Sequence, residues 1–240
     1  MEVSENLQSS SRREIKYALP GVDVGKLRTL LSGACHRQIY NKSVTTVRSI
    51  YFDDWRLSSC QDNLTGVGRR WKLRVRWYDE LWPTENFFFE VKWRKNLVTG
   101  KHRFPISLTR SLPDLTYRAF VSDLTASLPQ SYAGLLLERR EPVLLVEYRR
   151  EHFVSRDQKA RLTLDYDLKF YDQMGKQKPR MEFPVAMDGF VVIEGKVSGP
   201  KNSAIRDCLY PFSPRATRCS KYLHGCRVLG VMNGIANSLD

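Results

Sequence analysis

The sequence is short of several things, and each shortage removes a class of function. Across 240 residues no apolar run approaches the roughly 20 needed to span a bilayer, and the polar opening MEVSENLQSSSRRE lacks the apolar segment of a signal peptide. The expectation is a cytoplasmic chain with no membrane segment. None of the five cysteines pairs as CxxC, so zinc-ribbon and thioredoxin-like redox spacings are absent; reduced thiols are expected. The four histidines, His36, His102, His152 and His224, are scattered without ligand spacing. No Ser-His-Asp or Cys-His set suggests a nucleophile and its base. There is no internal repeat, low-complexity tract or linker that would split the chain. Acidic residues are few beside basic ones, 26 against 39, and the formal net charge is +13.

That excess implies a polyanionic partner if the cations converge, and only a solvated basic surface if they do not. Hydrophobic residues make up 42% and charged residues 27%, enough for a real core. The spacing predicts one domain over 12–230, with a disordered tail at 1–11 and a second tail at 231–240. A first strand (REIKYALP) precedes a helix over 22–32 with Asp23 as its N-cap. Further strands are read at TVRSIYFDD, 70–78, 86–94, 143–153, 160–171 and 189–197, with Lys95–Gly100 as a turn. Helical patterns cover about 55–64, 111–137 and the stretch from 202 to 229. Strands joined largely as hairpins, with helices inserted or terminal, indicate an α+β fold on one antiparallel sheet.

The strands place their charges to one side. In WKLRVRWY, residues 71–78, period two puts Trp71, Leu73, Val75 and Trp77 on one face and Lys72, Arg74 and Arg76 on the other. Glu90 and Lys92 share a face, as do Glu194 and Lys196, Glu14 and Lys16, and Arg161, Thr163, Asp165 and Asp167. Two geometries fit: an open sheet with its ionic face in water, or a closed antiparallel β-barrel with a charged lumen and helices packed outside. The dense Arg and Lys favour the barrel, since clustered cations need a compensating anion and arginine's fork grips phosphate. The acids Glu14, Glu90 and Glu194 among them suit Mg²⁺ or Mn²⁺. Trp71, Trp77, Phe89 and Trp93 lie opposite the cations, as outer packing and not as base-stacking platforms, which disfavours nucleic acid as the partner.

The pieces REIKY (13–17), SIYFDD (49–54), KLRVRWY (72–78), FEVKWR (89–94), EYRREHF (147–153), RLTLDYD (161–167), VIEGKV (192–197) and SKY (220–222) stand in an order that resembles the triphosphate tunnel metalloenzymes, the CYTH-like superfamily. Within it the chain is similar to the polyphosphate polymerase domain of the VTC family. The resemblance implies a barrel whose tunnel binds triphosphate. It implies transfer of the ATP γ-phosphoryl group to inorganic polyphosphate, with Mn²⁺ or Mg²⁺. Carried onto this chain, Lys72, Arg74, Arg76, Arg150, Arg161 and Lys221 are the catalytic clamps. Lys16, Lys92, Tyr148, Lys196 and Ser220 bind substrate, and Glu194, Glu14 and Glu90 hold metal. Asp165 orients an arginine. The superfamily's opening Glu-x-Glu-x-Lys has Arg12 in its first place here, which favours the polymerase branch over hydrolases. SPX and membrane segments are not seen, which implies a free-standing catalytic domain. The alternatives are a metal-dependent triphosphatase or nucleoside triphosphatase, and an inactive polyphosphate-binding module.

Overall fold

The computed structural model describes residues 12–83, 85–96, 98–198, 203–210 and 212–232. The expected tail at 1–11 lies outside the described residues, as does 233–240 of the expected C-terminal tail. In chain order the elements are β1 (Arg12–Leu19), α1 (Val24–Ala34), β2 (Cys35–Gln38), β3 (Thr45–Asp53), α2 (Ser58–Thr65), β4 (Arg69–Tyr78), β5 (Phe87–Lys95) and β6 (Val98–Ile106). They continue with a 3₁₀ turn (Leu112–Asp114), α3 (Tyr117–Ser127), α4 (Gln130–Glu138), β7 (Glu141–Ser155), β8 (Ala160–Asp172), β9 (Val185–Met187), β10 (Val191–Ser198), α5 (Ser203–Leu209) and α6 (Lys221–Val228).

The strands pair in the order β1-β10-β8-β7-β3-β4-β5-β6, with β2 added on β7 and β9 on β8. This is an α+β fold on an antiparallel sheet. Among the described residues the path ends at β1 and β6, and no ladder joins those ends. The pairing therefore shows the antiparallel sheet and not the closed barrel expected from the density of cations.

The residues expected as one domain over 12–230 group into two compact units, each discontinuous in sequence. The first comprises Met1–Val44, Arg150–Tyr166 and Gly189–Cys219. In it β10 lies between β1 and β8, both antiparallel to it. Asp23 caps α1 as its position suggests, accepting from Lys26 N at 3.1 Å. The helix buries Leu27 and Leu31 in a core with Leu162, Leu164, Ile193, Val197, Ile205 and Leu209. Gly195, in the middle of β10, is required by this packing. A Cβ there would meet Ile205 Cδ1 of α5 at 2.5 Å. Glu151 of β7 is wholly buried and pins two elements at once: Arg28 of α1 at 2.7 Å and Arg37 of β2 at 2.7 Å. Tyr166 Oη donates to the same carboxylate at 2.8 Å. The edge strand β1 is covered by Thr217, whose amide donates to Lys16 O at 2.8 Å and whose Oγ1 accepts from Ala18 N at 2.9 Å.

The second unit comprises Thr45–Arg149, Asp167–Asp188 and Ser220–Asp240. Here β3, β4, β5 and β6 form an antiparallel meander. Its apolar face carries Ile50, Phe52, Leu73, Val75, Trp77, Phe87, Phe89 and Val91, all essentially inaccessible to solvent, and it packs on Phe120 and Leu124 of α3 and Leu136 of α4. Burying a side chain of that size contributes about 2 kcal/mol each, so this face holds the meander together. Trp77 and Phe89 lie under the helices, and Trp71 packs at the margin. Trp93 instead runs along β6, with Nε1 donating to His102 Nε2 at 2.9 Å.

That last contact explains a departure from the sequence reading. The stretch expected as a turn, Lys95–Gly100, contains the start of β6. Gly100 is a strand residue because the Trp93 ring lies over it, and any Cβ would fall 2.3 Å from that ring. The short strands β2 and β9 also went unread. Among the described residues no helix is long and apolar enough to cross a membrane.

Candidate phosphate-binding site

The ionic face of β4, β5 and β6 can be built from its register. Directly opposed residues share a face. Arg74 stands across from Glu90, and Glu90 from Arg103. Lys72 stands across from Lys92, and Lys92 from Lys101. Arg76 follows on β4, flanked by Ser49 on β3. Six cations and one carboxylate thus occupy neighbouring positions of one sheet face.

Two of these guanidinium groups are buried. Arg74 donates to Glu90 Oε2 through Nε at 2.8 Å and Nη2 at 2.6 Å, and through Nη1 to Tyr51 Oη at 2.9 Å. Arg76 donates to Ser49 Oγ at 3.0 Å and Tyr148 Oη at 3.2 Å. The difference matters: Arg74 faces a full negative charge, whereas Arg76's hydrogen bonds go to neutral hydroxyls. Tyr148 and Ser49 of β3 fix the plane of the Arg76 fork.

Glu90 has the contacts of a counter-ion. Beside Arg74 it holds Lys101 at 3.1 Å and Arg103 at 3.7 Å, with Arg76 at 4.0 Å. Burial pushes its carboxyl up, but Arg74, Arg76 and Lys101 outweigh burial and hold it far below the usual carboxylate range. Tyr51 responds likewise. Burial pushes its phenol up, yet Arg74, Arg76 and Lys221 bring it below its ordinary value. The local field is strongly positive, even with Glu90 in place.

Helix α6 delivers the SKY residues to this unit's β3 and β4. Ser220 caps the helix, accepting from Leu223 N, and its Oγ also accepts from Lys72 Nζ at 2.9 Å. Lys221 is buried, with Nζ 4.6 Å from the centroid of the Tyr148 ring. Tyr222 anchors the helix. Its ring stacks on Tyr51 at 5.0 Å, and its hydroxyl donates to Asp53 Oδ2 at 2.6 Å. Asp53, wholly buried, also accepts from the amides of Ser59 and Cys60 at the start of α2. Burial raises its carboxyl; the Tyr222 hydroxyl and the amides of Ser59 and Asp54 oppose the rise. The SIYFDD and SKY stretches are therefore one interlocked structure.

The remaining candidates belong to the first unit. Across β1, β10 and β8 the register makes two mixed rows, Glu14–Lys196–Arg161 and Lys16–Glu194–Thr163. Lys16 Nζ lies 3.1 Å from Glu14 and 3.3 Å from Glu194. Arg150 is gripped by the buried Asp165 through two bonds of 2.6 and 2.7 Å, and lies 3.5 Å from Glu194. Asp165 thus orients an arginine, as its place in RLTLDYD implies. His152 sits beside this group. Burial, then Arg150 and Lys196, push its imidazole down to about 4 against the opposing pull of Asp165. A folded value below the unfolded one means that the unfolded chain takes up the proton first on acidification. Stability should fall as pH drops from about 6.5 toward 4, and His152→Gln should flatten that part of a thermal-melt profile; an unaltered profile would remove His152 as its source.

Among the described residues no cluster of three or more His, Cys, Asp or Glu is placed to hold a metal. A magnesium-like ion needs only one or two carboxylates when substrate phosphates complete its shell. Glu14 and Glu194 fit that requirement. They flank a single ammonium, and among the described residues the buried Thr163 hydroxyl across from Glu194 has no hydrogen-bond partner. Glu90 fits it less well, since its charge is already taken by arginine and lysine.

Sequence reading missed Lys101 and Arg103 on β6, and Ser49, Tyr51 and Asp53 within SIYFDD. The first two had a signal, the same two-residue cation spacing as in β4, hidden by Gly100 and Pro105.

The VTC domain profile matches residues 11–230, nearly the whole chain. A search of curated proteins finds no match. Of solved structures, the Schizosaccharomyces pombe Mediator head module aligns at 8% identity over 94% of each chain with a TM-score of 0.43, too low to carry an argument.

Proposed function

This chain belongs to the VTC domain family, which is associated with polyphosphate metabolism, and on that premise we propose that it is a polyphosphate polymerase, moving the γ-phosphoryl group of ATP onto a growing inorganic polyphosphate chain. The observation that carries the reading is the pair of buried, pre-oriented guanidinium groups of Arg74 and Arg76 among the lysines of β4, β5 and β6. The closed tunnel implied by the family resemblance is part of the same proposal.

Phosphoryl transfer through a loose transition state depends on position and charge neutralisation. In this reading Arg76 and Arg74 grip the non-bridging oxygens of the transferred group, and Lys72, Lys92 and Lys221 neutralise its neighbours. Tyr148 and Ser220 hold Arg76 and Lys72 in place. In the first unit Lys16, Arg150, Arg161 and Lys196 supply further cations for phosphate. The terminal oxygen of a polyphosphate is already an anion, so no general base is required to create the nucleophile. Glu194 and Glu14 would hold a divalent ion, Mn²⁺ or Mg²⁺, which neutralises phosphate oxygens when bound. Glu194→Gln should then raise the metal concentration needed for half-maximal activity by about tenfold. An unchanged metal titration removes Glu194 from the site.

Incubation with ATP, Mn²⁺ and a short polyphosphate, resolved on a gel, tests the function. Lengthening of the chain with release of ADP is expected. Release of inorganic phosphate without lengthening identifies a triphosphatase, and binding without turnover identifies an inactive module; either outcome overturns the polymerase reading.

A further inference from the structure

The cations of β4, β5 and β6 continue past the residues assigned above. These three strands hold ten cations, Arg69, Arg70, Lys72, Arg74, Arg76, Lys92, Arg94, Lys95, Lys101 and Arg103, against one acid, Glu90. Ten cations less one acid give these strands a net charge of +9, against +13 for the whole chain. Eight of the ten share the face of Arg74 by strand alternation.

Those eight lie in rows set by the register. The first is Arg76–Phe88–Pro105, the second Arg74–Glu90–Arg103, the third Lys72–Lys92–Lys101 and the fourth Arg70–Arg94–Thr99. Successive rows are about 7 Å apart and the set runs about 20 Å along the strands. A triphosphate reaches across about two such rows. The fourth row repeats, one step further along the strands, the side-by-side placing of cations in the third. Each of its guanidinium groups is steadied by a backbone carbonyl: Arg70 Nη1 donates to Val67 O at 2.7 Å, and Arg94 Nε to Asn96 O at 2.6 Å. Both side chains are half-buried, so their forks are held while remaining reachable.

Resting on the polyphosphate reading above, we propose that Arg70 and Arg94 form an outer subsite that extends this face from a triphosphate site to a site for a longer linear phosphate chain. The chain would lie along the strands, with its end among Arg74 and Arg76 and its body over the two outer rows. The ligand class is inorganic polyphosphate, set apart from a nucleotide polymer by charged phosphates joined directly through one bridging oxygen, with no sugar between them and no base to stack.

The test compares tripolyphosphate with long-chain polyphosphate, each titrated by calorimetry into the wild type and the Arg70→Gln/Arg94→Gln double variant at several salt concentrations. The double variant should lose about tenfold in affinity for the long chain and less than twofold for tripolyphosphate. The salt dependence for the long chain should become shallower by about one unit or more in log–log slope. Arg70→Lys/Arg94→Lys should recover most of the long-chain affinity, and matching far-ultraviolet dichroism melts show that all variants fold. Equal losses on the two ligands, or no loss on either, overturn the subsite. So does single-stranded DNA of matched charge binding as tightly as the long chain, which would make the row a general polyanion surface. Absence of tripolyphosphate binding in the wild type would sink the phosphate reading itself, a result separable from failure of the outer row alone.

Discussion

Arg76→Ala should lower turnover by about a hundredfold or more while leaving the protein folded. Removing one pre-oriented donor from developing transition-state charge typically costs that much. The cost to stability should be only about 1 kcal/mol, because Arg76's hydrogen bonds go to two hydroxyls, Ser49 Oγ and Tyr148 Oη. Arg74→Ala is a less clean experiment. Alternation treats the two arginines alike, and the sequence suggests that either could be removed without unfolding. The structure separates them, since Arg74 is the nearest counter-charge of the buried Glu90. Steady-state kinetics with ATP, paired with a thermal melt, check the difference. Full activity in Arg76→Ala would exclude it from the phosphate path.

Glu90→Gln is expected to have the largest effect on stability, a loss of about 3–5 kcal/mol. The substitution keeps the shape and strips the counter-charge from Arg74, Lys101, Arg103 and Arg76 together. The pH dependence has a definite sign. The folded carboxyl lies below its ordinary value of 4.5, so its contribution is complete above that value and fades only as the pH falls toward the folded one. The gap between wild type and variant should therefore stay level from about pH 5 to 8 and narrow in stronger acid. An added phosphate chain should restore part of the loss, since an anion bound only by the folded state stabilises it. Urea melts with and without tripolyphosphate measure both effects. A variant as stable as wild type would mean that the cations do not need an internal acid.

Much of this was legible in the sequence. Period-two alternation in WKLRVRWY placed Lys72, Arg74 and Arg76 together and put Trp77 and Phe89 under helices, because side-chain direction along a strand depends on parity alone. The cap at Asp23 was legible for a similar reason, being a local hydrogen bond. What was hidden depended on distant partners. Gly100 reads as a turn until the Trp93 ring is seen over it, and this concealed Lys101 and Arg103. Gly195 looks like a weakness in β10 until Ile205 is placed against it. Glu90 reads equally well as a metal ligand and as a counter-ion from one dimension, and only its distances to Arg74 and Lys101 favour the second. The link from Tyr222 to Asp53 joins residues 169 positions apart; alternation has no access to such a pair. Strand pattern also leaves closure of the sheet undetermined, because an ionic face looks the same along the chain whether it meets solvent or another strand.

The most direct test of the central claim is a crystal soaked with a non-hydrolysable ATP analogue and Mn²⁺. Phosphate groups are expected within hydrogen-bonding distance of Arg74 and Arg76, on the ionic face of β4 and β5. Phosphates bound away from that face, with both guanidinium groups keeping only their present protein partners, would contradict it.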